Sequence, residues 1–422
     1  MSREYVAAEE RQRHLSRLRQ LKEKETTAVQ SNSEESQYNP SHADVIVVGG
    51  SAAGFYTAAQ VARGGKRVRV LESKPHLEPA PRTLIVTNHF RKQVGAVANE
   101  SITNEIRRFE LFTDGRSAQV ALAKPDLIIE RSRLIPALAR EANAAGASIS
   151  FDTRFLGLSS NAKGLRLEIE SGKHRENLYS RKVVGADGAT SRVARTAGWP
   201  AIETVPLVQA IVRLPKDFPL DTTRVWFVPD DTPYFYWLIP ESAERGALGV
   251  IGEDGHDTAR RLERFLEKKQ MEPLEWQGAR IPVYRRWTPV RRRIGEGEVY
   301  LVGDAAGQVK VSTVGGIVTG FRGAQGVAES ILGRRFNGEL LALRRELETH
   351  WLLRRTMHHF GQNDYSQLVD LLNAVTRDTL KEISRDESTR LLWTVLRRQP
   401  KLILLGLRGL LLGRGASRPS AS

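Results

Sequence analysis

The chain has 422 residues, 40% of them hydrophobic, enough for a sizeable core and too many for a wholly disordered protein. It contains no cysteine, which excludes disulfides, thiolate metal sites and a native thiol nucleophile. The net charge of +15 is concentrated: residues 388–422 hold seven Lys/Arg and no acid, and residues 285–293 hold five Arg and no acid. Such patches, one interleaved with Leu, fit an anionic membrane surface or an anionic ligand better than nucleic acid. No run approaches the ~18 apolar residues of a membrane span, and no charged-then-apolar leader precedes a cleavage site. The expected location is therefore cytoplasmic, with a peripheral position on the inner membrane face.

In chain order, residues 4–25 read as a polar helix with Val6, Leu15, Leu18 and Leu21 as its main apolar positions. Residues 26–42 have linker composition, so residues 1–42 form a polar, largely disordered extension. The folded body is expected from Ala43. ADVIVVGG reads as a buried strand ended by glycines, SAAGFYTAAQVARGG as a helix, and KRVRVLES as a second strand, together a βαβ unit. IIERSRLIPALAREANAAGASISF repeats the strand-edge, helix, strand pattern, and RKVVGADG is a further buried strand. Between Val205 and Ile281 short strands dominate. GEVYLVGDAAG is again a strand with a glycine turn, GGIVTGFRGAQGVAESILG is a helix, and everything after Asn337 reads helical. An α/β pattern is thus interrupted by a β-rich insert and resumes afterwards. The boundaries are 43–337 for a discontinuous α/β domain, about 76–128 and 203–282 for the insert, and 338–422 for a helical, basic region.

Three motifs carry chemistry. Gly49-Gly50-Ser51-Ala52-Ala53-Gly54 lies between strand and helix, where small residues let amides approach a pyrophosphate. Its third fingerprint position is Ser51 rather than Gly. Glu72 ends the second strand, where a carboxylate accepts bonds from a ribose. The second motif is Gly185-Ala186-Asp187-Gly188, followed by Ser191 and Arg192. The third is Gly303-Asp304-Ala305-Ala306-Gly307. Each of the latter two puts an Asp at the C-terminal end of a buried strand, where open α/β sheets bind ligands. For either Asp alone, the simpler reading is a turn or cap residue.

The triplet resembles the FAD-dependent p-hydroxybenzoate hydroxylase-like flavoprotein superfamily over roughly residues 43–333. The resemblance implies a Rossmann-like FAD-binding domain, an interrupting β-rich substrate domain and a helical C-terminal region. By motif position it implies FAD contacts from Gly49, Ser51, Ala53, Gly54, Glu72, Arg131, Asp187, Gly188, Gly303 and Asp304. It also implies flavin contacts from Gly315, Gly316 and Ile317, which open the next helix. With one glycine-loop unit, NAD(P)H or another reductant would visit as a transient electron donor.

Within that superfamily the chain looks most like the geranylgeranyl reductase branch. The aromatic segment Pro233-Tyr234-Phe235-Tyr236-Trp237-Leu238-Ile239-Pro240, the GDAAGQVKVSTVGGIVTG stretch and the basic Leu-rich tail carry the likeness. It implies hydride transfer to a C=C bond of a lipophilic isoprenoid, with Tyr234, Tyr236 and Trp237 lining the substrate tunnel. A proline and a glycine usual in the second stretch are absent, as is a Cys usual near Pro81. That leaves the proton donor open, with His89, Tyr234, Tyr236 and Tyr284 as weak catalytic candidates. The aromatic segment also resembles that of flavin-dependent halogenases, for which Lys74 and Lys92 are the nearest lysines. The residues are also compatible with an FAD- and NAD(P)H-dependent monooxygenase, or with a non-catalytic flavin-binding protein at the membrane surface. The runs Arg285-Arg286 and Arg291–Arg293 could take a diphosphate. His358-His359 has no further ligand at metal spacing, so no metal is expected. The tail from residue 388 to 422 is expected either to lie on an anionic membrane or to pack on the body as a capping helix.

Overall fold

Six strands form a mainly parallel sheet in the order Arg291–Ile294, Gly297–Leu301, Lys182–Gly185, Val45–Val48, Val68–Leu71 and Ser148–Ser150. Every neighbouring pair is parallel except the first. The computed structural model describes residues 43–77, 81–162, 164–334, 337–372, 374–383 and 387–415. The N-terminal helix and linker read from the sequence, and the end of the tail, lie outside the described residues. Val45–Val48 is buried throughout because both faces of a central parallel strand are covered. Helices Ala52–Arg63, Arg131–Ala144 and Ile317–Ile331 supply apolar faces to that core, with Phe55, Ala58, Leu138, Phe321 and Ala324 among the buried side chains.

The segment 153–180, for which the sequence reading named no element, is a three-stranded antiparallel meander. Its signal is a period of two: Leu165, Leu167 and Ile169 are buried, and Arg166 and Glu168 are exposed.

A second sheet has eight strands in the order Pro273–Pro282, Thr204–Arg213, Arg245–Ile251, Tyr236–Pro240, Thr222–Trp226, Ile102–Thr113, Arg116–Glu130 and Thr83–Val86. Its strands come from two separated stretches of the chain. Helix Gly255–Lys268 covers one face through Leu262, Phe265 and Leu266, which pack with Trp226 and Tyr236. The other face carries Phe109, Phe235, Trp237 and Ile239. Beyond Asn337 the chain is helical: Gly338–Met357, Gln362–Leu371, Ala374–Glu382, Ser388–Arg398 and Lys401–Gly415. Leu405 is buried with Phe360 and Tyr365, so the last helix caps the body along one edge.

The tightest junction joins the glycine loop to the end of the neighbouring strand. Gly49 has φ +104°, and a Cβ there would lie 2.6 Å from the Ala186 carbonyl oxygen. A Cβ on Gly54 would collide with the Gly49 carbonyl. Gly54→Ala is therefore expected to destabilise the protein by about 1–3 kcal/mol, the usual range for overpacking. Gly255→Ala has only Pro206 nearby, at 3.9 Å, and sits at the start of a helix. It should leave stability unchanged or raise it slightly. Urea midpoints of the two variants check this, and equal midpoints would contradict it.

Candidate cofactor cleft and apolar cavity

The three sequence motifs meet at the C-terminal ends of adjacent parallel strands. Gly49 follows Val45–Val48, Glu72 follows Val68–Leu71, the Ala186-Asp187 turn follows Lys182–Gly185, and Gly303-Asp304 follows Gly297–Leu301. A Cβ on Gly303 would touch that of Ala53 at 3.0 Å, so the third motif abuts the first helix. Ser51 is the N-cap of Ala52–Arg63, its Oγ accepting from the Gly54 amide at 3.2 Å. Ser51 thus has a local reason to stand where the fingerprint has glycine.

Glu72 is tied to the loop: its Oε2 accepts from the Gly50 amide at 2.7 Å and its Oε1 from the Lys74 amide at 2.9 Å. It also lines a cleft of about 110 Å³ with Gly50, His76, Arg131 and Ser132. A carboxylate has about four lone-pair sites, so these bonds leave capacity for a ligand. Asp187 behaves differently. Its carboxylate accepts from Ser191 Oγ at 2.5 Å, the Arg192 amide at 2.7 Å and the Val193 amide at 3.0 Å. Those bonds make it a turn and helix-start residue, the simpler of its two readings. Arg192 donates to the Phe155 carbonyl at 3.2 Å. Gly188 has φ +83° and nothing within 4 Å of a Cβ.

Asp304 is a carboxylate in a recess whose side chain, among the described residues, accepts no hydrogen bond. Burial pushes its carboxyl up from the ordinary range, and the guanidiniums of Arg82 and Arg131 pull it partly back. Burial likewise lowers both arginines, and Arg131 lowers Arg82 further. Pairing of Thr83 with Glu130 brings the two arginines together. Glu130 fixes the junction, accepting from the Arg82 amide at 3.0 Å and the Ser132 amide at 2.8 Å. Arg82 was not among the sequence candidates. Its signal is a charged residue immediately before a half-buried apolar strand. One carboxylate and two half-buried arginines near the glycine loop suit a ligand with both hydroxyls and a diphosphate.

Beyond Asp304 the chain turns into helix Ile317–Ile331. A Cβ on Gly315 would meet nothing closer than 3.8 Å, so open space flanks the backbone there. Gly315, Gly316 and Ile317 line a second, larger cavity of about 410 Å³. Its wall is mostly apolar and includes Leu84, Val120, Leu207, Val225, Phe235, Trp237 and Ile239, with Met357, Leu372 and Leu380 from the C-terminal helices.

Of the three aromatic residues assigned to a tunnel, only Trp237 lines this cavity. Side chains alternate along a strand, and the inward set here is Phe235, Trp237 and Ile239. Tyr236 points through the sheet, stacks on Phe265 at 4.0 Å and donates to Asp231 at 3.2 Å. Tyr234 lies under the Arg354 guanidinium, 4.4 Å from its ring centre. Burial raises the pKa of both phenols. His89 starts a short helix, and neither it nor Tyr284 lines the cavity. Lys74 and Lys92 are exposed.

The arginine runs are engaged elsewhere. Arg285 pairs with Glu203, Arg291 with Glu298 and Arg293 with Glu296, while Arg292 lies over Trp199 and donates to the Ala197 carbonyl. Arg285, Arg291 and Arg293 thus form surface ion pairs with separate acids rather than converging on one site. Among the described residues no cluster of metal-ligating side chains occurs.

Helix Gly338–Met357 supplies a polar line that sequence reasoning missed. Glu346, His350 and Arg354 recur every four residues and are all buried. Glu346 pairs with Lys310 at 3.3 Å and with Arg322, which also pairs with Glu339. Polar residues beside Leu343 and Leu347 on one buried helix face were the available signal.

A strand-end glycine loop with an acid after the second strand defines a dinucleotide-binding α/β protein. Residues 42–332 match the FAD binding domain family, and the chain belongs to that family. It is an FAD-dependent oxidoreductase. The chain is 27% identical over 373 residues to digeranylgeranylglycerophospholipid reductase 2 of Methanothermobacter thermautotrophicus, covering 81% of this chain and 94% of that one. It is 30% identical over 301 residues to digeranylgeranylglycerophospholipid reductase 1 of Methanopyrus kandleri, covering 65% and 76%. The fold resembles the crystal structure of a geranylgeranyl bacteriochlorophyll reductase-like protein from Thermoplasma acidophilum. That match has a TM-score of 0.72 at 18% identity and covers 87% of this chain and 99% of the other.

Because the folded protein disfavours the ionised Asp304, its charge is a stability cost above the ordinary carboxylate pKa, growing until pH passes the raised value. Asp304→Asn should leave the apoprotein's melting temperature unchanged or raised at pH 7. Asp304→Ala should weaken FAD by about 1.5–3 kcal/mol, the range for hydrogen bonds to a charged group. Thermal melts and FAD titration of apoprotein check both, and unaltered FAD affinity would remove Asp304 from the site.

Proposed function

We propose that the protein is a geranylgeranyl reductase-like enzyme that reduces C=C bonds of a lipophilic isoprenoid chain. The observation that carries this reading is the mostly apolar cavity of about 410 Å³ that Gly315, Gly316 and Ile317 help to line. The reductase names of the relatives support the same substrate class. Bound and reduced, FAD supplies a hydride. The Gly49–Gly54 loop would hold its diphosphate, with Glu72 at the ribose, Arg82 and Arg131 opposite the phosphates, and Asp304 on the ribityl hydroxyls. The first-turn amides of helix Ile317–Ile331 would face the flavin edge on which negative charge gathers. Phe235, Trp237 and Ile239 would hold the prenyl chain and keep water from the reacting end. The eight-stranded sheet is then the substrate domain, and NAD(P)H or another reductant reloads the flavin transiently.

An oxygen-dependent reading has one supporting observation. Lys310 lines the cavity, as a halogenase lysine would, although its ammonium is paired with Glu346. Anaerobic mixing of reduced protein with a geranylgeranyl lipid separates the two readings. Flavin oxidation without O₂ supports the reductase, and oxidation only after O₂ is admitted supports a monooxygenase or halogenase.

We further propose that the C-terminal helices rest on an anionic membrane surface while capping the body. Trp393, Ile403, Leu404 and Leu407 are exposed large apolar side chains, with exposed Arg397 and Lys401 beside them. The patch is less cationic than the sequence suggests, because Arg390, Arg398 and Arg408 pair with Glu387, Glu382 and Asp364. No helix among the described residues is long and apolar enough to cross a membrane. Trp393→Glu combined with Leu404→Glu should leave the flavin spectrum unchanged and reduce co-sedimentation with phosphatidylserine vesicles at least tenfold at low salt. Unchanged sedimentation would leave these helices only their capping role.

A further inference from the structure

Adding hydrogen across an isolated double bond needs a proton as well as a hydride, and this chain has no cysteine to give one. Among the cavity's lining groups, Ser312 has a buried imidazole behind it. Its Oγ lies 2.5 Å from Nδ1 of His350, and His350 is buried on helix Gly338–Met357. Ser312 shares the cavity wall with Gly315, Gly316 and Ile317, only three to five positions away in sequence.

The loop between them is held in a costly shape. Val314 has φ +56°, a left-handed conformation that a β-branched residue adopts only under constraint. Lys310 and Gly315 form a bridge that closes the turn, and the Lys310–Glu346 pair anchors it to the same helix. Lys310 of the loop pairs with Glu346, one turn before His350 on the helix, Arg354 lies one turn after it, and Asp126 lines the same cavity wall. Strain that presents a hydroxyl to a cavity, backed by a buried imidazole, suggests chemistry more than packing.

We propose that Ser312 is the proton donor to the substrate and that His350 is the positioning residue that re-supplies it. This rests on the isoprenoid-reductase reading. One alkene carbon receives a hydride from reduced FAD, which is thereby oxidised. The other forms a C–H bond with the Ser312 hydroxyl proton as the O–H bond breaks. Ser312 Oγ takes a proton from Nδ1 of imidazolium His350, which ends neutral and regains its proton through Ser312 once product leaves and water enters the cavity. The alkene gains two hydrogens, and no further reactant is needed.

Because the chain is otherwise free of cysteine, Ser312→Cys in the FAD-loaded protein introduces a single thiol whose chemistry reports on the pair without any turnover. A free thiol is only a few per cent thiolate at pH 7, so stabilisation of the thiolate by the neighbouring His350 imidazolium should speed alkylation by iodoacetamide about tenfold. The comparison is with Ser312→Cys combined with His350→Gln. Geranylgeraniol should protect the thiol. In anaerobic single turnover, Ser312→Ala and His350→Gln should each slow lipid-dependent flavin oxidation at least ~100-fold, within the range of general acid catalysis. Both should keep the wild-type flavin spectrum. Equal alkylation with and without His350, or a Ser312→Ala rate within threefold of wild type, would overturn the proposal. Loss of flavin together with activity would also overturn it, leaving a purely structural bond. His350-dependent alkylation without geranylgeraniol protection would uphold the Ser312–His350 proton exchange while rejecting the isoprenoid substrate.

Discussion

The contact on which the cleft depends is the one between the Gly49 backbone and the Ala186 carbonyl. With 2.6 Å between that oxygen and the position of an added Cβ, only glycine lets the first strand's end lie flush with its neighbour's. That closeness sets where helix Ala52–Arg63 begins, and so where its first-turn amides point. The third motif docks against the same helix start through Gly303 and Ala53, which fixes the Asp304 recess. Thus a backbone constraint at one glycine brings the glycine loop, Glu72 and Asp304 to the same edge of the parallel sheet.

From that cleft outward the electrostatics change character. Around Asp304 the protein holds a half-buried carboxylate close to the guanidiniums of Arg82 and Arg131, a charged recess suited to a polar ligand. A few residues further, past Gly315, the walls become aromatic and aliphatic. The two environments meet at the start of helix Ile317–Ile331. A redox cofactor lying across that boundary would have its charged half in the polar recess and its reactive ring against the apolar cavity. Met357, Leu372 and Leu380 of the C-terminal region also line the cavity, while Trp393 and Leu404 of the last two helices are exposed.

Much of this was legible in the sequence because it depends on local pattern. The βαβ unit follows from a Val/Ile run, glycines and a helical period, and the strand-end acids follow from the same runs. What was not legible depends on pairing. Tyr236 and Trp237 are adjacent in sequence, yet one faces Phe265 and the other the cavity. Nothing in the aromatic run itself says which parity is inward. Asp187 reads like a ligand-binding acid, but the amides of Arg192 and Val193 take its carboxylate. The arginine runs look unpaired until Glu203 and Glu298 are brought beside them by the fold. The Glu346, His350 and Arg354 line has a helical period, but its meaning appears only once loop 310–315 lies across it.

The flavin and the prenyl chain must share one boundary for this site to work as a reductase. The most direct measurement is a crystal structure of the protein with FAD and a geranylgeranyl ligand. The account predicts the diphosphate on the Gly49–Gly54 loop, the ribityl chain against Asp304, and the flavin ring at Gly315–Ile317. It also predicts the ligand's double bond over that ring, with its chain along Phe235, Trp237 and Ile239. A flavin ring outside the Gly315–Ile317 edge, or a prenyl chain bound anywhere but this cavity, would contradict it.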